Sequence, residues 1–179
     1  MAILEIVAVP DPVLRKKAKT VSLFDDRLQT LIDDMVETMR AAPGVGLAAP
    51  QVGVLERVVV VEYYENEDEE EEDEDDDEEP VERPKRLYTI VNPEITRKSS
   101  EVEEGIEGCL SVPGFQGDVE RHLAITVKGQ TRYGQPVTLK LKDWTARIFQ
   151  HEIDHLTGIL FTDLATRIWR PDGPVEDTV

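Results

Sequence analysis

Apolar residues Leu28, Leu31, Ile32, Met35, Val36 and Met39 recur at intervals of three and four, the spacing of one face of an α-helix. Asp25 and Asp26 stand before them as helix-starting residues and Pro43-Gly44 follow as a stop, so the segment predicts an amphipathic helix laid on a core. Beyond a loop rich in Gly, Ala and Pro, short apolar runs predict strands at Val58 to Glu62, Leu87 to Asn92, Val119 to Val127 and Gln135 to Leu141. A second helix is predicted from Trp144 to about Thr157, with Asp143 as its N-cap and Gly158 as its stop. Helix, several short strands, helix is the order of an α+β fold. The expected architecture is mainly antiparallel sheets packed around the second helix.

At 179 residues the chain suits a single catalytic domain spanning residues 1–179. No apolar run approaches the 18 residues of a membrane span, and the first 20 residues lack a basic segment followed by an apolar one. The expected compartment is therefore the cytoplasm, with no membrane contact. Charge is uneven: of the 15 residues from Glu65 to Glu79, 14 are acidic, which accounts for most of the net charge of −18. Such a run cannot bury enough apolar surface to order itself, so residues 65–79 read as a disordered acidic insertion between two strands, and residues 170–179 as a flexible C-terminal tail. The insertion is a solvated loop, a docking element for a basic partner such as a ribosomal protein, or a collector of loose cations. It repels phosphates, and no basic stripe elsewhere offsets it, so direct binding of nucleic acid is not expected.

Chemistry concentrates in the second helix. His151-Glu152-Ile153-Asp154-His155 is a His-Glu-x-x-His motif, which puts two imidazoles one turn apart on one face, able to chelate a single ion. Glu152 is then placed to reach a water on that ion rather than the ion itself. His151 and His155 are two of only three histidines, and Ile148 extends their face as an apolar wall. Two ligands do not hold a catalytic metal. A third His in the frame His-x-x-Gly-x-x-His would fall at position 161, which is Phe161; a downstream Glu is offered only by Glu176, in a Pro- and Gly-rich tail. The remaining candidate is Cys109, the single cysteine, which rules out an internal disulfide. A lone Cys is more often a small buried apolar residue, and that reading competes here with a metal site short of one ligand.

Three segments together resemble the peptide deformylases: Gly44-Val45-Gly46-Leu47-Ala48-Ala49-Pro50-Gln51, then Glu107-Gly108-Cys109-Leu110-Ser111, then Gln150-His151-Glu152-Ile153-Asp154-His155-Leu156 with Gly158. Pro10-Asp11-Pro12-Val13-Leu14-Arg15 also looks like the family's start, so the resemblance covers about residues 3–164 apart from the acidic insertion. It implies a metal-dependent hydrolase removing the formyl group from the N-terminal formylmethionine of nascent peptides. Cys109, His151 and His155 would bind one divalent ion, Fe(II) in the native protein, with Zn(II), Ni(II) or Co(II) able to take its place. Glu152 would be general base and acid, with Gln51 and the Leu110 N–H binding the oxyanion. A bound dication would lower the pKa of its water to about 7, which is what amide hydrolysis at neutral pH requires.

The backbone around Val45 and Gly46 would pair with an extended substrate peptide. By position, Val45 and Ile148 are expected walls of an apolar pocket for the methionine side chain. Glu107 and Asp154 remain open between positioning and structural roles. The tail lacks the long basic helix by which well-known members dock near the ribosomal exit tunnel, so any ribosome contact is expected to be transient and by another route. Two other readings stand beside this one: a non-catalytic module of the same fold binding a basic partner through its acidic loop, and a zinc endopeptidase.

Overall fold

A computed structural model describes residues 1–64 and 85–172. The acidic insertion expected at 65–79, the last seven residues of the tail and Glu176 within it lie outside the described residues. The predicted first helix is α1, Asp26–Ala41, capped by the Asp25 side chain, which accepts the Leu28 N–H. The strands are β1 (Gly46–Ala48), β2 (Val58–Tyr64), β3 (Lys85–Lys98), β4 (Val102–Cys109), β5 (Val112–His122), β6 (Ala124–Gln130), β7 (Pro136–Lys142) and β8 (Arg167–Trp169). The motif helix is α2, Asp143–His155, and a single turn α3 spans Phe161–Leu164. Every strand pairing is antiparallel. One sheet has the order β1-β2-β3-β6-β7, the other β4-β5-β8. The fold is α+β, as the element order suggested.

The four consecutive valines of β2 explain the layering. Side chains alternate across a strand, so Val59 and Val61 pack with Ile148, Phe149 and Ile153 of α2, while Val58 and Val60 pack with Ile32, Met35 and Met39 of α1 on the other face. A strand buried on both faces is apolar throughout instead of alternating. α2 is thus enclosed, and nine of its thirteen residues are buried. A third cluster joins Cys109, Val112 and Val119 of the small sheet to Leu14, Leu160 and Phe161.

Several boundaries differ from expectation, each for a local reason. The run Val119–Val127 is two strands in two sheets, divided at Leu123, whose N–H donates to Glu101 O and whose O accepts from Asp143 N–H. Alternation continues through the switch, so periodicity cannot mark it. β3 runs past Asn92-Pro93 to Lys98, because a register irregularity between Val91 and Glu94 accommodates the proline. The N-cap of α2 is Lys142, whose side chain makes no capping bond to the helix, and Asp143 is the first helical residue at φ +53°. Pairing of Lys142 with Ala124 keeps the chain extended up to that point. α2 ends at His155, two residues early, and Gly158 follows at φ +76°.

Candidate active site

His151 and His155 are each 1% exposed and their rings lie 5.1 Å apart along α2. Cys109 ends β4, where a bulge after Gly108 turns the chain inward, and is 2% exposed. The ligand atoms of these three side chains lie within 4.8 Å of one another, with Cys109 Sγ 3.4 Å from His155 Nε2. Bonds of about 2.0–2.3 Å to one shared ion place tetrahedral ligands roughly 3.5 Å apart, so the spacing suits a single ion. Buried polar atoms are normally hydrogen-bonded. Among the described residues the side-chain exceptions are His151 Nε2, His155 Nδ1 and both oxygens of Glu152, all at this place. The donor set and the orphaned atoms together fit a divalent cation.

Behind the ligands lies a buried ionic network. His151 Nδ1–H donates to Glu107 Oε1 at 2.8 Å, which leaves Nε2 turned toward the cysteine and the second histidine. Arg121 grips both Glu107 oxygens at 2.9 Å and also donates to Asp154 Oδ2 at 2.6 Å. Arg147 adds a bond to Glu107 Oε2 at 2.7 Å. Burial pushes the Glu107 carboxyl up, but the hydrogen bonds from Arg121 and His151 outweigh it and hold the group well below the usual carboxylate range. Glu107 and Asp154, which sequence could not separate, both belong to the frame that orients His151.

Burial pushes the His151 imidazole down, while its contacts with Cys109 and Glu107 lift it, up to about 10. A dication bound at this ring takes the place of that proton. Burial, and then the charge of His151, keep His155 well below its ordinary value, so its ring is neutral and has a lone pair to donate. Burial pushes Glu152 up to about 7, against the pull of His151.

Gln51 reaches the same place from a short 3-10 turn, Ala49–Val52. Its Oε1 accepts the Ala48 N–H at 2.9 Å, and its Nε2 lies 3.1 Å from Ser111 Oγ and 3.6 Å from Cys109 Sγ. Gly46 lies directly over Glu152: a Cβ there would meet Glu152 Oε1 at 2.7 Å. Leu110 occupies the turn between β4 and β5 and faces Gly44, whose Cβ would meet Leu110 Cδ1 at 2.8 Å. The N-terminal segment ties the two loops, since Val7 N–H donates to Gln51 O and Val9 N–H to Ser111 O. Val45 is partly buried against the core cluster that contains the fully buried Ile148. β1 and β4 are edge strands of their sheets, so each has one side unpaired.

The pattern of the polypeptide deformylases matches residues 3–170, nearly the whole chain. The chain belongs to the polypeptide deformylase family. It is 48% identical over 180 residues to a peptide deformylase of Symbiobacterium thermophilum, covering 99% of this chain and 74% of that one. To a peptide deformylase of Desulforudis audaxviator it is 44% identical over 170 residues, covering 95% and 98%. The crystal structure of peptide deformylase from Thermotoga maritima superposes with a TM-score of 0.80 at 38% identity, over 93% of this chain and all of that one. A peptide deformylase from Legionella pneumophila gives 0.76 at 43% identity, over 92% and 87%. The family is metal-dependent and acts on nascent peptides, and this chain is such a hydrolase. The endopeptidase and binding-only readings find no support. No described helix is long and apolar enough to cross a membrane.

Three members of the site were not singled out by sequence: Ser111, Arg121 and Arg147. Arg147 left a signal, because it is a charged residue within the short run Ala146-Arg147-Ile148-Phe149, one turn before His151. Arg121 left none, being one basic residue in a mixed strand.

Proposed function

We propose that this chain removes the formyl group from N-formylmethionyl peptides with Cys109, His151 and His155 as ligands of one divalent ion and Glu152 as the proton-transfer group. The observation that carries the assignment is the convergence of three buried donors, within 4.8 Å of one another, beside a buried carboxylate whose oxygens have no partner among the described residues. When bound, the ion supplies electrophilic activation, lowering the pKa of its water toward 7 and polarising the formyl oxygen.

Glu152 accepts the proton of the attacking water and returns it to the leaving amine. Gln51 Nε2, with Oε1 anchored by Ala48 N–H, donates to the oxygen that becomes negative, and the Leu110 N–H is the second donor. The free side of β1 receives the extended peptide by strand addition around Val45 and Gly46. Val45 and Ile148 are walls for the methionine side chain. A thiolate with two imidazoles suits Fe(II) as the native ion, with Zn(II), Ni(II) or Co(II) as substitutes. N-formylmethionyl chains emerge at the ribosome, which supports a cytoplasmic location and a transient ribosome contact. The whole of residues 1–179 is proposed as one catalytic domain.

Protein purified without oxygen is expected to carry close to one iron per chain and to release formate from a formyl-Met tripeptide while leaving the acetylated peptide intact. Cleavage of both peptides, or turnover by metal-free protein, would overturn the assignment.

A further inference from the structure

Arg147 is 6% exposed and lies one turn before His151 on α2. Its guanidinium makes three bonds: Nη1 to Glu107 Oε2 and to Val119 O, both at 2.7 Å, and Nη2 to Glu103 O at 2.8 Å. One side chain therefore fastens the motif helix to β4 and β5 and also to the carboxylate that holds His151. The place is built for it. Gly105 of β4 lies against the guanidinium, and a Cβ at that position would stand 2.8 Å from Arg147 Cζ. Arg121 already binds both oxygens of Glu107, so neutralising the carboxylate does not require a second arginine. Arg147 contributes direction: beside the Arg121–Asp154 contact near the end of the helix, it ties Glu107 to the turn of α2 that precedes His151.

We propose that Arg147 is a positioning residue for the metal centre, acting through Glu107 to fix the His151 ring so that Nε2 converges on Cys109 and His155. The inference rests on the assignment of those three residues as ligands. Partners of ligating histidines that are removed in this way commonly change metal affinity 10- to 100-fold.

Arg147→Met keeps most of the side chain's length and apolar bulk without its donors, Arg147→Lys keeps one donor group, and Gly105→Ala keeps the arginine but crowds its seat. Zn(II) affinity is measured for each by competition with a coloured chelator, and the visible absorption of the Co(II)-loaded proteins is recorded. The expected result is 10- to 100-fold weaker Zn(II) binding and an altered Co(II) spectrum in Arg147→Met, the same direction of change in Gly105→Ala, and partial recovery in Arg147→Lys. A purely structural role would lower thermal stability but leave both metal readouts of the folded protein unchanged, and that result overturns the proposal. Should Arg147→Met fail to fold, Gly105→Ala decides alone: wild-type affinity with a wild-type spectrum overturns it. Failure of the wild-type protein to bind Zn(II) at all would instead overturn the ligand assignment.

Discussion

Glu152 and Gly46 constrain each other. The glycine is needed because any side chain would strike the Glu152 carboxylate, so Gly46→Ala should displace the proton-transfer group with only a small effect on folding. Steady-state kinetics should show kcat/KM down by roughly 10²-fold or more, within the range for general acid-base groups; an unchanged rate would mean that the carboxylate does not work from this position. Cys109→Ser replaces a soft ligand with a poor one, so metal content after dialysis against a mild chelator should fall well below that of the wild type. Equal retention would make Cys109 the small apolar residue that its burial alone would allow. Much of this site was legible. His151, Glu152 and His155 announce themselves by spacing, because helical geometry converts a four-residue interval into proximity. Cys109 could be reached only as the one ligand left to a site short of a third, and Gln51 only through family motifs, because a strand end and a loop reach the site by tertiary packing. Arg121 and Arg147 act through Glu107, a contact between distant segments that no local pattern encodes.

Elements carrying an apolar run or an apolar stripe were readable from sequence, and short or polar ones held in place by pairing were not. α1 carries its helix in its apolar spacing and its start in Asp25. β1 and β8 have three residues each and exist only because β2 and β5 bind them, while β4, exposed along much of its length, shows little apolar alternation. Gly158 was expected as a helix stop, and the structure adds a steric reason: a Cβ would stand 2.5 Å from Arg15 O, at φ +76°. Gly158→Ala should therefore cost about 1–3 kcal/mol in denaturant unfolding, the scale of a strained backbone position, and a neutral result would contradict that contact. Arg40 of α1 and Glu62 of β2 are joined by two hydrogen bonds, at 2.9 and 2.8 Å. The bond from Arg40 holds Glu62 below its usual pKa, so the pair stabilises the fold above the unfolded value of about 4.3 and stops doing so as pH falls through the lower folded value. With Arg40 about half exposed, the contribution is only about 0.5 kcal/mol. Glu62→Gln should lower Tm slightly at pH 7, and the gap should shrink as the pH falls through the lowered pKa of Glu62; a gap that stays constant down to full protonation would contradict the linkage.

Across the whole molecule, the two sheets enclose α2 so that its His-Glu-x-x-His face meets the ends of β1 and β4. The acidic run supplies most of the net charge, and every residue assigned to the site lies outside it in sequence. Deleting residues 65–79 should leave kcat/KM for a short formylated peptide within about twofold of the full chain; a large loss would give the run a part in turnover. Composition alone was enough to set the run apart, because 14 acidic residues in 15 cannot contribute to a core. The most direct test of the whole account is formate release from a formyl-Met tripeptide by wild-type protein and Glu152→Ala, each loaded with the same metal and its content measured. The account predicts equal metal content and a rate lower by roughly 10²- to 10⁴-fold in the variant. A fully loaded Glu152→Ala protein that turns over like the wild type would contradict it.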